Sequence, residues 1–303
     1  MGTERLSGRV AIVTGSSRGI GKAIALAFAR EGAAVAVAAR SEAVWDPRLP
    51  GTIHETVAEI ESAGGRAVAV AADLSIPADI DGLVEQARAA LGPIDLLVNN
   101  AALTVPGRPG ASRKTEVRAP QSPKETGETE TVPKNMGRGS FLAFPLKGFR
   151  LHFEIGLFAS YRLMQLVAPD MIEARRGAIV NISSLAAFLP GDGPYERPGR
   201  PTGFAYGGNK AAIHHLTQAV AFELAPHGIA VNALSPSEPV ITPGNLVAAA
   251  GEEDWASPDD FAEATLRLAL ADPKRQTGQV LWSDDVLHPE RGPRGWLRGL
   301  PGR

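Results

Sequence analysis

Cysteine is absent from all 303 residues, which excludes disulfides, a thiolate nucleophile and zinc–thiolate sites. Long apolar runs are absent too. None reaches the about 18 residues that cross a bilayer, and residues 1–10 (MGTERLSGRV) hold no apolar signal core. The opening MGTERL carries leucine at its sixth position, where the myristoylation pattern requires serine or threonine. Charge of one sign is scarce: the net charge is −2, without a dense basic run, so no nucleic-acid partner is expected. These absences lead to the expectation of a soluble cytoplasmic protein with no membrane or nucleic-acid partner. No metal site is expected either. The apolar fraction, 44%, is ample for a core, and glycine is frequent at 33 residues.

The chain is organised around residues 10–21, VAIVTGSSRGIG. Residues 10–13 form a short β-branched run suited to a strand buried on both faces. Thr14 and Gly15 interrupt it, and from Ile20, Gly21 and Lys22 the pattern becomes helical. Strand, glycine-rich turn and helix in that order form a phosphate cradle. Gly15 supplies the turn, Gly19 admits a pyrophosphate to the backbone, and Gly21 lets helix and strand pack closely. The helix N-terminus offers unpaired N–H groups. The spacing is Gly-x-x-x-Gly-x-Gly, and its flanking strand and helix favour a dinucleotide cradle over a purely structural turn.

Residues 34–39 (AVAVAA) read as a second buried strand, at whose end stand Ala39, Arg40 and Ser41. An acidic residue there would bind the adenosine ribose hydroxyls and repel a 2′-phosphate. Arg40 and Arg18 instead suit that phosphate, although solvated arginines would look the same. NADP(H) is therefore the preferred cofactor, with NAD(H) possible. Residues 53–63 and 77–91 read as helices, and 67–71 and 94–98 as strands. The carboxylate of Asp73, beyond the third strand, fits an adenine amino group or an ordinary helix cap. The fourth strand runs into Asn99, Asn100, Ala101 and Ala102, with Asn99 expected to tie neighbouring loops.

Residues 106–139 are rich in Pro, Gly, Thr and charge, a composition unsuited to core packing. A lid and a disordered excursion fit this segment equally. Residues 149–173 then read as one long helix with an apolar stripe, kinked or interrupted at Pro169. Strands are expected over 178–182, 229–234 and 279–282, and helices over 204–227 and 258–271. From Asp284 onward the chain reads as a tail. The whole is an α/β chain: one domain over 1–303, a doubly wound parallel sheet of about seven strands flanked by helices on both faces. The ligand crevice belongs at the carboxyl ends of its strands.

The chemistry sits in YGGNK, residues 206–210. Tyr206 and Lys210 lie four apart, on one helical face. A free phenol has a pKa near 10, and a neighbouring cation together with a nicotinamide charge would bring it into range for acid–base work. Ser184, ending the fifth strand, can bond the same substrate oxygen. A lone Tyr-x-x-x-Lys is commonly structural; beside the glycine turn and NNAA it points to hydride transfer.

Taken together, TGSSRGIG (14–21), Asp73–Leu74, NNAA (99–102), IVNISS (179–184), YGGNK and VNALSPS (231–237) resemble the short-chain dehydrogenase/reductase family. The resemblance spans about residues 6–286 and implies a Rossmann-type fold. It implies that Ser184 orients the substrate, that Tyr206 is the acid/base, and that Lys210 binds the nicotinamide ribose and tunes Tyr206. It also implies a cofactor held by Gly15, Ser17, Arg18, Gly19, Ile20, Gly21, Arg40, Asp73, Leu74, Asn99, Ala101, Tyr206, Lys210 and Pro236. A small alcohol or carbonyl substrate and a homo-oligomer, dimer or tetramer, follow from the same resemblance, the two long helices forming the interface. The apolar stripe on the first of these helices is equally consistent with internal core.

Four departures stand out. Gly156 occupies the place where the family carries an asparagine in its proton relay. An unusually long stretch separates Ser184 from Tyr206, inserting a loop at about 187–202 over the substrate pocket. Residues 106–139 are inserted as well, and Ser237 stands where glycine is usual. The expected activity is interconversion of an alcohol and a ketone or aldehyde with NADP(H). The alternative is an NADP(H)-binding regulatory or scaffold protein with weak or no turnover, owing to Gly156. Leu185, Phe188, Leu189 and Trp282 suggest an apolar pocket or, equally, core.

Overall fold

The computed structural model describes residues 4–103, 144–188, 203–248 and 255–292. The insertion at 106–139, most of the loop at 187–202 and the extreme C-terminus lie outside them, as does Leu189. The sheet is built from β1 (Val10–Thr14), β2 (Ala34–Ala39), β3 (Arg66–Ala71), β4 (Leu96–Asn99), β5 (Gly177–Ile182), β6 (Ile229–Ser235) and β7 (Val280–Trp282). These seven strands pair in the order β3-β2-β1-β4-β5-β6-β7, and every pairing is parallel. The order reverses between β1 and β4, and there the carboxyl ends of the strands open a crevice.

The helices are α1 (Gly19–Arg30), α2 (Ile53–Ser62), α3 (Pro77–Leu91), α4 (Leu146–Phe153), α5 (Ala159–Ala174), α6 (Phe204–Leu224), α7 (Pro243–Ala248), α8 (Pro258–Ala269) and α9 (Ser283–Leu287). They cover both faces because β1, β4 and β5 bury residues on both sides of the sheet. Ile24, Phe28, Phe261 and Leu266 pack one face, while Leu83, Leu163, Val167 and Met171 pack the other. Local signals set several starts. The Thr52 hydroxyl accepts from the Glu55 N–H while Glu55 reaches back to the Thr52 N–H, forming a capping box for α2. Ser257 caps α8, and Pro77 opens α3.

Three expectations change. The single helix expected over 149–173 begins earlier, at Leu146, and contains a π-turn at Glu154–Phe158 between α4 and α5. Pro169 lies inside α5 without ending it, with buried Leu163, Val167 and Met171 on either side holding the helix to the sheet. The expected tail at 284 instead continues directly as α9, whose terminal carbonyls at Val286 and Leu287 accept from Arg267 Nη1. The short α7 was not legible: it follows Thr242, whose hydroxyl accepts from the Asn245 N–H.

Below the sheet, Asp95 is 5% exposed and accepts from the Val10 N–H at 2.9 Å. It also pairs with Arg9 and, at 2.9 Å, with Arg176. This carboxylate joins β1, β4 and the entry to β5. Asp95→Ala strands a buried guanidinium and is expected to cost about 3–5 kcal/mol of stability, measured by urea unfolding; a loss under about 1 kcal/mol would contradict this role.

Candidate active site

The glycine turn is fixed from beneath. The Thr14 hydroxyl donates to Val98 O (3.2 Å) and accepts the N–H groups of Asn100 (3.0 Å) and Ala101 (3.1 Å). Asn100 Nδ2 donates to Thr14 O (2.8 Å) and Gly15 O (3.3 Å). This leaves no room for side chains. Gly15 has φ +68°, and a Cβ there would stand 2.9 Å from Asn100 Nδ2. A Cβ on Gly21 would stand 2.3 Å from Gly15 O. Ser16 seats the turn against β2, donating to Val13 O (2.7 Å) and accepting from the Ala38 N–H (3.0 Å).

A cleft of about 1040 Å³ runs from this turn across the sheet edge. Of the residues expected to hold a cofactor, Gly15, Ser17, Arg18, Gly19, Ile20 and Gly21 line its first part. Arg40, Asp73, Leu74 and Ala101 follow, and Pro236 lines its far wall with Tyr206 and Lys210. Asn99 is the exception. It is 3% exposed and donates from Nδ2 to Asn181 Oδ1 at 2.8 Å, tying β4 to β5 below the cleft. Its neighbour Asn100 lines the cleft instead. The strand alternation that turns residue 99 inward turns residue 100 toward the turn.

At the end of β2 two guanidinium groups approach one another. Arg18 donates to Leu49 O (2.7 Å), Ser41 Oγ (2.8 Å) and Gly51 O (3.1 Å), so it also holds the loop after β2. Burial, and then the charge of Arg40, hold its pKa below the usual arginine value. The half-exposed side chain of Arg40 has Asp73 Oδ2 at 3.8 Å. Asp73 does not cap α3, whose N-cap is Ile76; its Oδ1 accepts from the N–H and hydroxyl of Ser75. A cradle closed to Cβ atoms, bare N–H groups at the start of α1 and paired cations beyond β2 suit a nucleotide with phosphates.

At the other end of the cleft, β5 delivers Ser184 and the first turns of α6 deliver Tyr206 and Lys210. Burial pushes the Tyr206 phenol above its ordinary value, and a hydrogen bond with Ser184 opposes that rise. The lowering expected from Lys210 is thus not produced by the protein alone, because both groups are removed from water. Lys210 is 3% exposed, donates to Ile182 O at 2.6 Å, and has its Nζ 5.8 Å from the Tyr206 ring centroid. Burial lowers it to about 8.

Several participants escaped sequence reading. The His152 ring, in α4, meets the Tyr206 ring edge-on with centroids 6.1 Å apart and lines the cleft. Burial lowers its pKa, favouring the neutral ring. The place of Gly156 is filled from elsewhere: a Cβ there would meet Asn209 Nδ2 at 2.0 Å. Neither feature has a local signal, since each arises where two distant helices cross. Ser237, the departure after Pro236, has a local role: its N–H donates to Ser283 Oγ (3.1 Å) and its Oγ accepts from the Asp284 N–H (3.0 Å), seating α9. Of the apolar candidates, Leu185 lines the cleft. Phe188 and Trp282 pack on each other at 4.8 Å, Trp282 as part of the buried interior.

The family model for short chain dehydrogenases matches residues 9–245. The chain is 31% identical to the 7alpha-hydroxysteroid dehydrogenase of Escherichia coli K12, over 91% of this chain and 93% of that one. It is 30% identical to L-fucose dehydrogenase of Mus musculus, over 91% and 79%. Among solved structures, an NAD(P)-dependent gluconate 5-dehydrogenase assignment from Beutenbergia cavernae, with bound NADP, is similar at TM-score 0.69 and 30% identity, covering 94% of this chain and 99% of that one. A 7α-hydroxysteroid dehydrogenase complexed with NADH and 7-oxo glycochenodeoxycholic acid gives 0.68 and 29%, covering 92% and 94%. No helix among the described residues is long and apolar enough to cross a membrane. With its seven-stranded parallel sheet, glycine turn and Ser–Tyr–Lys cleft, the chain belongs to the short-chain dehydrogenase/reductase family, nicotinamide-dependent oxidoreductases acting on CH–OH groups.

Proposed function

We propose that this protein is an NADP(H)-dependent oxidoreductase that interconverts an alcohol and a ketone or aldehyde, with Tyr206 as the acid/base. The observation that carries the reading is the meeting of Ser184, Tyr206 and Lys210 in the cleft that begins at the glycine turn. When bound there, a nicotinamide supplies or accepts the hydride. The chain's residues do the rest. Ser184 and Tyr206, hydrogen-bonded to one another, offer two hydroxyls to one substrate oxygen. The Tyr206 hydroxyl gives its proton to that oxygen during reduction and takes it back during oxidation. The Lys210 ammonium, held by Ile182 O, places positive charge behind the phenol and, with the charge of a bound nicotinamide beside it, would offset the rise that burial imposes. Leu185 and His152 line the substrate end, pairing an apolar wall with a neutral imidazole.

NADP(H) is favoured by charge. Residues 39–41 contain no carboxylate, and the charge of Arg40 disfavours that of Arg18. A dianionic 2′-phosphate would relieve that repulsion. The rival reading, a binder disabled at Gly156, is weakened by the amide of Asn209, which occupies the same space. A homo-oligomer is proposed on the strength of exposed aromatic side chains on the α5 and α6 segments: Phe158, Tyr161 and Phe222, the last 87% exposed.

Tyr206→Phe is expected to lower NADPH consumption with aldehydes and ketones by about 10²-fold or more while leaving the NADPH Kd within a few-fold; an unchanged rate would remove Tyr206 from the mechanism. Arg40→Asp is expected to move the kcat/KM ratio for NADPH over NADH at least about tenfold toward NADH, as loss of a charge-assisted phosphate contact requires. An unaltered ratio would clear Arg40 of that role.

A further inference from the structure

Asn209 occupies an unusual place. It lies between the reacting residues of α6, three positions after Tyr206 and one before Lys210, yet its side chain reaches across into the π-turn that separates α4 from α5. A Cβ built on Gly156 would meet Asn209 Nδ2 at 2.0 Å, Oδ1 at 2.6 Å and Cγ at 2.7 Å. The amide therefore fills the volume that any side chain at 156 would need. Asn209 is 1% exposed, and its Nδ2 donates to the backbone oxygen of His152 at 2.7 Å. Two buried polar atoms flank this bond with no hydrogen-bond partner among the described residues: Asn209 Oδ1 and His152 Nδ1. Buried polar atoms of this kind are rare in native interiors, and each calls for a reason such as a catalytic role or a bound water. π-turns are frequent at functional sites.

A packing role alone would be met by an apolar side chain of similar volume, without leaving Oδ1 unsatisfied. The amide adds a directional bond between α6 and α4 at the level where His152 faces the Tyr206 ring. Resting on the proposed role of Tyr206 and Lys210, we infer that Asn209, threaded into the gap at Gly156, is a positioning residue that fixes the Tyr206–Lys210 face of α6 against His152 and the π-turn. Gly156 and Asn209 form a complementary pair in which only one member can carry a side chain. A side chain at 156 therefore damages the site.

The test is a double-mutant cycle on the full chain, reading NADPH Kd by fluorescence and kcat with the best carbonyl of a substrate panel. Gly156→Ala is expected to weaken NADPH and lower kcat about tenfold or more, since displacements of an ångström at a reacting centre have effects of that size. Asn209→Ala is expected to lower kcat more than it raises the carbonyl KM. The double variant Gly156→Ala/Asn209→Ala is expected to resemble Asn209→Ala alone, because removing the amide makes room for the new Cβ; a product of the two single effects would contradict direct coupling. Should Gly156→Ala fail to fold, Asn209→Ser, which only removes volume, carries the test. Melting temperatures lowered without change in NADPH Kd or kcat would show a structural role only and overturn the inference. Lys210→Met serves as the control for the underlying reading. If it leaves NADPH affinity unchanged, the assignment of α6 to the cofactor fails; if it weakens NADPH while the Gly156 and Asn209 variants change neither NADPH Kd nor kcat, only the positioning role fails.

Discussion

The site depends on the close approach of β1 and β4 at their carboxyl ends. There the Thr14 hydroxyl and the Asn100 amide occupy the space beneath the glycine turn. Side chains on Gly15 or Gly21 would collide with this pair or with the turn itself. The N–H groups opening α1 are consequently left facing the cleft with no side chain over them, the arrangement a phosphate group requires. The parallel order of the sheet places this turn on the same edge as the ends of β5 and β6. A single crevice thereby contains the nucleotide cradle, Ser184, and the first turns of α6.

Burial governs the chemistry at the reacting end. Removal from water raises the phenol of Tyr206 and lowers the ammonium of Lys210, so both drift toward their neutral forms. Ser184 opposes the first shift by hydrogen bonding, and Ile182 O gives Lys210 a partner. The pair is thus sensitive to any positive charge brought alongside. The same face of α6 is tied to α4 by the bond from Asn209 Nδ2 to His152 O, beside Gly156 in the π-turn.

Much of this was legible in the sequence because it is written in local patterns. The alternation of apolar strands with amphipathic helices gave the doubly wound sheet, and 14–21, 99–102 and 206–210 marked the cleft. The helix starts capped by Thr52 and Ser257 fall where they were expected, at residues 53 and 258, whereas the uncapped C-terminal ends stop one or two residues early, at Ser62 and Ala269. Asn99, expected among the cofactor contacts, ties β4 to β5 below the cleft while Asn100, to which the sequence assigned no role, lines it, since alternate residues of a strand face opposite ways. Gly156 read as a loss because the side chain replacing it arrives from a helix about fifty residues further along, in contact only after folding. Ser237 read as an oddity until α9 was seen bonded to it.

The central claim is hydride transfer between a nicotinamide and a carbonyl carbon above Tyr206. Its most direct measurement is isotopic: incubate the protein with NADPH deuterated at the transferable C4 position and a panel of aldehydes and ketones, then analyse the alcohols by mass spectrometry. The account predicts deuterium on the carbinol carbon of at least one product, and its loss in Tyr206→Phe. Consumption of NADPH with unlabelled alcohol, or equal labelling by Tyr206→Phe, would contradict it.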